Sequence, residues 1–342
     1  MISKTISVIG GLDYDLIMVA NRVPGPGESL MANTYLEALG GKGANCAIAT
    51  YRSCHGRPEQ DESDTEPRTA SPNGTLDIRV KMIGAVGDDR YGARFYEELR
   101  KSGLNTSGIV TVPDMQTSIC FVMVEETTRQ NRCLFVQGAT GMWRPKHFYR
   151  PEDLGSGMIP DLCIAQMEMD KEVIEAIIET AGRAGIDFVL NAAPASPSST
   201  RTYQWITHLI VNESQAAVLS GRDVNQVNED TWETVCLDFL GRGVRNVVIT
   251  LGSRGAYYAN AESKGRCPAY EVDVVDTTGA GDTFTGAYSS EYLMQKVAGR
   301  WDIGQAVSRA NKAAALAVTK MGAQSGIPWS DGIDDFVSRR VD

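Results

Sequence analysis

The chain has 342 residues, of which 42% are hydrophobic and 22% charged; this excludes a disordered chain and suffices to bury about three quarters of the surface exposed on unfolding. Its 33 basic and 43 acidic residues leave a net charge of -10, which argues against a nucleic-acid backbone as partner. No apolar run approaches the roughly 18 residues of a membrane span, and seven cysteines without a CxxC pair suggest neither a disulfide framework nor a zinc site. A reducing compartment is expected, the cytoplasm with the nucleus as a second location.

The opening MISKTISVIGG reads as a first core strand over 4–10 rather than an export signal. From about 13 to 38 the segment holds strands separated by Pro/Gly turns, as does TSICFVMVEETTRQNRCLFVQ within about 115–137; both look like antiparallel ribbons of a small β lid. A helix is expected near 43–53. Ser53 to Gly74 has two apolar residues in 22, three prolines and a charge of -3, the composition of a solvated or disordered insertion. Strands at 78–84, 161–166, 186–190, 208–211 and 245–249 then alternate with helices near 90–102, 170–184, 213–220, 229–241, 282–297 and 302–319. Several strands are apolar on both faces, so the alternation means βα units around a buried, mostly parallel sheet within one domain spanning 1–342.

Ligands of such sheets bind beyond the carboxyl ends of the strands. Four polar residues stand there: Glu168 after LCIAQM, Asn191 after DFVL, Asn212 after HLIV and Thr250 after NVVI. Each alone fits a turn or cap, whereas four together make a polar crevice. AYEVDVVDTTGAGDTFTGAY reads as strand, glycine loop and helix, and the N–H groups of Gly279, Ala280, Gly281 and Asp282 can converge on an anion at the helix start. GGKGAN, Gly40 to Asn45, also precedes a helix, with Lys42 and Asn45 offering donors to hydroxyl oxygens. Asp13 and Asp15 stand two apart on one extended segment, so both carboxylates share a face and suit sugar hydroxyls. TLGSRGAYY reads as a strand, a turn and a second strand. No GxGxxG occurs and GGKGAN does not match a Walker loop.

Taken together, PGES at Pro26, GGKGAN, GDD at Gly87, TLGSRG and DTTGAGDTFTGAY from Asp276 resemble the ribokinase-like (PfkB) carbohydrate kinases, in an order that covers nearly the whole chain outside the insertion. LNAAPA at Leu190 and MGAQSGIPW at Met321 bring the likeness to the ribose-phosphorylating members. The resemblance implies a three-layer αβα sandwich with a β lid that doubles as a homodimer clasp, and an ATP-dependent conversion of D-ribose to ribose 5-phosphate assisted by Mg²⁺ and K⁺. It further implies that Asp282 is the base beside an anion hole of Gly279, Ala280 and Gly281. Asp13, Gly41, Lys42, Asn45 and Glu168 would hold the sugar, with Asp15 close by. Asn191, Asn212, Thr250, Gly252, Ser253 and Gly255 would line the nucleotide side and Asn311 the adenine. Asp276, Thr278, Val318, Gly322 and Ser325 would form the potassium site.

Two positions depart from the family pattern. The glutamate of its NxxE motif falls on Gln215, and the usual serine of the potassium site falls on Gly326. A fructokinase, an adenosine kinase, or a non-catalytic sugar or nucleotide sensor on the same fold are the competing readings; the sensor has no use for a base at Asp282.

Overall fold

The computed structural model describes residues 2–58, 76–128, 130–197 and 201–337, so most of the expected insertion, from residue 59 on, lies outside the described residues. In chain order the first half forms β1 (Ile2–Ile9), β2 (Asp13–Ala20), β3 (Thr34–Gly40), α1 (Lys42–Cys54), β4 (Leu76–Gly87), α2 (Arg90–Lys101), β5 (Asn105–Val112), β6 (Ser118–Glu125) and β7 (Gln130–Val136). The second half forms β8 (Leu162–Gln166), α3 (Lys171–Arg183), β9 (Asp187–Asn191), β10 (His208–Asn212), α4 (Glu213–Ser220), α5 (Trp232–Gly241), β11 (Asn246–Thr250), β12 (Ala256–Asn260), β13 (Lys264–Cys267), α6 (Ala280–Val297), α7 (Ile303–Ala317) and α8 (Ser330–Asp334).

Nine strands make the central sheet in the order β13-β12-β11-β10-β9-β8-β1-β4-β5. Pairing is parallel from β11 through β5 and antiparallel at β12 and β13. Every residue of β8 (LCIAQ) and β9 (DFVLN) is buried, because helices cover both faces. Helices α1, α2, α6 and α7 pack around Ile6, Val8, Phe95 and Tyr288 on one face; α3, α4 and α5 pack around Phe188, Leu209, Trp232 and Phe239 on the other. The result is the αβα sandwich.

A second sheet, β3-β2-β6-β7, stands apart from it. Each hairpin is antiparallel inside, but β2 and β6 join them in parallel, from Asp13 beside Ser118 to Ala20 beside Glu125. A purely antiparallel lid is therefore corrected to a mixed one.

Three further expectations are corrected. No strand precedes the glycine loop: after a bridge at Tyr270 the chain runs irregularly with a bend at Val275, Val274 and Val275 are exposed, and the N–H groups of Val275 and Asp276 turn to the Val318 carbonyl instead. The start of the insertion is not solvated, since Ser53, Cys54 and His55 are buried. His55 stacks on Tyr51 and its carbonyl accepts the Ser330 N–H, so cover comes from a segment 275 residues away (330 minus 55), which local composition cannot show. β5 and β13 were not expected at all; both are edge strands, and NTSGIVTV in β5 groups three polar residues before Gly-Ile-Val instead of alternating.

Glycine decides how α1 begins. At Gly41 φ is +84°, and a Cβ would lie 2.6 Å from the Asp13 nitrogen and 2.7 Å from the Gly11 carbonyl oxygen. Gly41→Ala should therefore cost about 1–3 kcal/mol, combining left-handed strain with backbone overlap. A urea midpoint equal to the parent's would show that the turn can move aside. Where α1 crosses α6, a Cβ on Gly286 would lie 2.5 Å from the Thr50 nitrogen, and this close approach draws the two helix N-termini together.

Candidate active site

The carboxyl ends of β8 to β11 align in register: Gln166 and Ile210 both pair with Asn191, and Asn212 pairs with Thr250. Beyond them opens a cleft of about 360 Å³ lined by Lys42, Asn191, Asn212, Thr250, Gly279, Gly281 and Asp282, among others. Helices α1 and α6 both start at this cleft, so their positive dipole ends face it; of their first N–H groups, Ala44 already donates to the Gly11 carbonyl and Ala280 to the Thr277 carbonyl at 3.3 Å, which leaves Gly279 and Gly281 as the freer anion-hole donors. Asp282 is buried in the first turn of α6, and its Oδ2 accepts the Asn45 amide N–H at 3.2 Å. Gly279 (φ +77°) caps that helix where a Cβ would meet the Ala323 carbonyl oxygen at 2.6 Å, whereas the Cβ position of Gly281 is open. An anion can thus approach the backbone there without obstruction.

One cation faces four carboxyl groups. Lys42 has Asp282, Glu168, Asp13 and Asp15 around it, and they hold its ammonium above the usual range although burial opposes this. The Lys42 backbone N–H also donates to Glu168 Oε2 at 2.9 Å. Asp13, 4% exposed, keeps one carboxylate oxygen buried with no hydrogen-bond partner. Burial, followed by the charge of Asp15, pushes Asp13 up to about 7 against the pull of Lys42 and Ser118. Burial likewise pushes Asp15 up to about 7, opposed by Lys42. Glu168 is raised well above the carboxylate range, by burial first and then by Asp13. Asp282 is raised by burial while Lys42 and Asn45 restrain it. These groups want donors, and a polyhydroxylated ligand would supply them.

The shifts carry a pH consequence. A carboxyl group raised from its unfolded value of about 4 contributes stability at low pH that is lost as pH rises through the folded value. For Asp15 that window ends at about 7. Asp15→Asn lacks the loss, so its urea midpoint minus the parent's should grow from about pH 5 to about pH 8 in the sugar-free protein. A flat difference would mean that Asp15 titrates near its ordinary value.

A family model described as the pfkB family carbohydrate kinases matches residues 3–330. The chain belongs to that family. Among curated relatives, the ribokinase of Schizosaccharomyces pombe is 32% identical over 327 residues, covering 94% of each chain. The deoxyribokinase of Salmonella typhi is 29% identical, covering 97% of this chain and 98% of its own. Among solved structures, the ribokinase of Thermotoga maritima is 26% identical with a TM-score of 0.77, covering 97% of this chain and 98% of that one. The Arabidopsis thaliana ribokinase complexed with ribose and ATP is 23% identical with a TM-score of 0.80, covering 98% and 100%, and shows the shared fold. This pfkB carbohydrate kinase is accordingly a phosphotransferase acting on a sugar-type alcohol.

In this pfkB kinase the structure brings Asp13, Asp15, Gly41, Lys42, Asn45, Glu168, Gly279, Ala280, Gly281 and Asp282 to one place, from both ends of the chain. Asn191, Asn212 and Thr250 line the same cleft. Four nucleotide-side expectations fare differently. Asn311 is buried and its amide donates to the carbonyls of Cys267 and Pro268, so those donors hold β13 in place. A Cβ on Gly255 would lie 2.1 Å from the Cys267 oxygen, so packing against that segment already requires glycine there. Gly252 and Ser253 lie exposed on the turn between β11 and β12.

The residues expected at the potassium site also lie close together. Asp276 accepts Thr278 N–H, Thr278 O–H and Gly322 N–H at 2.7–2.9 Å, and the Ser325 hydroxyl donates to the Met321 carbonyl. This set offers only oxygen ligands, and both lone pairs of the Val318 carbonyl already receive N–H groups. Gln215 also faces the cleft, but its Oε1 accepts the Asn212 N–H at 2.8 Å, closing a helix cap. No three His, Cys, Asp or Glu side chains among the described residues could hold a metal by themselves. A Mg²⁺ would take its ligands mainly from nucleotide phosphates and water, which that ion tolerates well.

Sequence reasoning missed Gln324, which hydrogen-bonds Asn45, and Gly11, whose missing side chain leaves room for Glu168. The GG pair after β1 was a usable signal for the second; nothing local marks the first.

Proposed function

We propose that this kinase transfers the γ-phosphoryl group of ATP to the primary hydroxyl of D-ribose, giving D-ribose 5-phosphate and ADP. The observation that carries the reading is the buried Asp282, set between the N–H groups opening α6 and the hydroxyl-binding cluster of Asp13, Asp15, Lys42, Asn45 and Glu168. Asp282 takes the hydroxyl proton as the sugar oxygen bonds to the γ-phosphorus. The bond from that phosphorus to the β–γ bridging oxygen breaks, and ADP leaves with the electron pair. The N–H groups of Gly279, Ala280 and Gly281 stabilise the charge on the transferring oxygens, where a fixed dipole is worth most. Mg²⁺ bound with the nucleotide would neutralise phosphate charge, and K⁺ at the Asp276 loop would hold the 318–325 segment against the anion hole.

Relatives called deoxyribokinase support a second reading, 2-deoxyribose. The unpartnered buried oxygen of Asp13 favours a sugar with its full set of hydroxyls, because a missing donor leaves that oxygen unpaired. An ADP-release assay should give ribose a kcat/KM at least about tenfold above 2-deoxyribose, fructose or adenosine, with a higher rate in K⁺ than in Na⁺ at equal ionic strength. A better rate with any competitor overturns the sugar assignment. Exposed Leu134, Phe135 and Val136 on the lid, with the apolar groove around Met18, Phe121 and Met123, support a homodimer through that sheet. A monomer in sedimentation would refute it. Seven free thiols support the cytoplasm, with a nuclear fraction that imaging of the tagged chain would test.

A further inference from the structure

We propose that Gln324 is a positioning residue for the phosphoryl transfer: it orients the side-chain amide of Asn45 so that the N–H, and not the carbonyl, faces Asp282. The Gln324 Nε2 donates to Asn45 Oδ1 at 3.0 Å, and Asn45 Nδ2 donates to Asp282 Oδ2 at 3.2 Å. A carboxamide carries its donor and its acceptor on opposite branches, so a partner at one branch decides what the other presents. An amide nitrogen can only donate; placed beside Asn45, it selects the orientation in which the free N–H points to the carboxylate. With the amide turned over, two oxygens would face one another, a contact that becomes favourable only once Asp282 is protonated.

The backbone of Gln324 is itself held. Its backbone carbonyl accepts Arg52 Nη1 at 3.1 Å, the same guanidinium nitrogen donates to the Ile327 carbonyl at 3.0 Å, and the guanidinium lies over the Trp329 ring at 5.3 Å. The neighbouring Ala323 carbonyl rests against Gly279. The loop after α7 therefore touches the site twice, under the anion hole and through Asn45. Charges facing Asp282 come from Lys42 on α1 and Glu168 beyond β8, with the Cys46 thiol on α1 also in range; Asp13 and Asp15 on β2 act on it through Lys42. Of these only the Lys42 ammonium carries N–H donors, and it is shared among four carboxyl groups.

This inference rests on Asp282 being the base. Gln324→Leu and Gln324→Glu would be compared with the parent and with Asp282→Asn in full-length enzyme, recording kcat and KM from about pH 5.5 to about pH 9, with thermal melting to confirm folding. Gln324→Leu should lower kcat about tenfold near pH 7, leave the KM for ATP within about twofold, and move the acid limb of the profile to higher pH, with activity recovering toward the parent's on the alkaline side. Gln324→Glu keeps the size but presents an acceptor to Asn45, and should show the larger displacement. A loss by the same factor at every pH, or parental activity in both variants, overturns the positioning role. If Asp282→Asn retains parental turnover, it is the base assignment that fails; if it abolishes turnover while both Gln324 variants match the parent, only the role of Gln324 fails.

Discussion

Asp282→Asn should lower turnover by a factor of about 10² or more while folding and sugar affinity stay near parental. Asparagine is nearly isosteric and keeps an oxygen for the Asn45 N–H, so the contact at 3.2 Å survives and the α1–α6 packing is untouched. It cannot take a proton from the sugar hydroxyl. The variant also removes a carboxylate that burial pushes up, so it should be at least as stable as the parent. Stopped-flow or coupled turnover beside ribose calorimetry separates the two effects, and turnover within about tenfold of the parent would remove Asp282 from the role of base.

Asp13→Ala should weaken ribose binding by about 2 kcal/mol, roughly 30-fold in Kd, the loss expected when a charged acceptor to a buried hydroxyl disappears. ADP affinity should hardly change, since the proposed anion hole lies on the loop opening α6, away from Asp13. The protein should not unfold: near neutral pH the substitution relieves Asp15 of a buried neighbour whose proton is released at about 7. A calorimetric titration in which ribose binds as before would return Asp13 to a purely structural place on β2.

The parallel strands were legible because each is a short apolar run closed by a turn, and the site's ends because GGKGAN and GAGD carry glycines where a helix begins. Asp13 and Asp15 were legible as a pair through the two-residue period of a strand. What escaped depends on distant contacts. Nothing near Ser53 reports that Ser330 will cover the end of α1, and nothing in MGAQSGIPW reports that Gln324 will meet Asn45. Asn311 looks as polar as any cleft residue, yet its amide holds the Cys267 carbonyl. The parallel join of β2 and β6 follows from both strands continuing from the carboxyl ends of parallel strands, β1 and β5, a property of topology that neither segment encodes alone.

The crossing of α1 and α6 has a consequence for how the chain is made. Asn45 is made well before its partners, Asp282 lying 237 and Gln324 279 residues further along the chain, and the contact of Gly286 with Thr50 that unites them spans a similar distance. Until α6 and α7 arrive, one face of the sheet and the apolar side of α1 have no cover, the state in which large α/β chains are most prone to aggregate. Contacts of such long sequence separation also form slowly. A nascent chain that stops before α6 carries Asp13, Asp15, Lys42 and Glu168 but not Asp282 or its glycine loop, so the cluster is assembled only once α6 has been made.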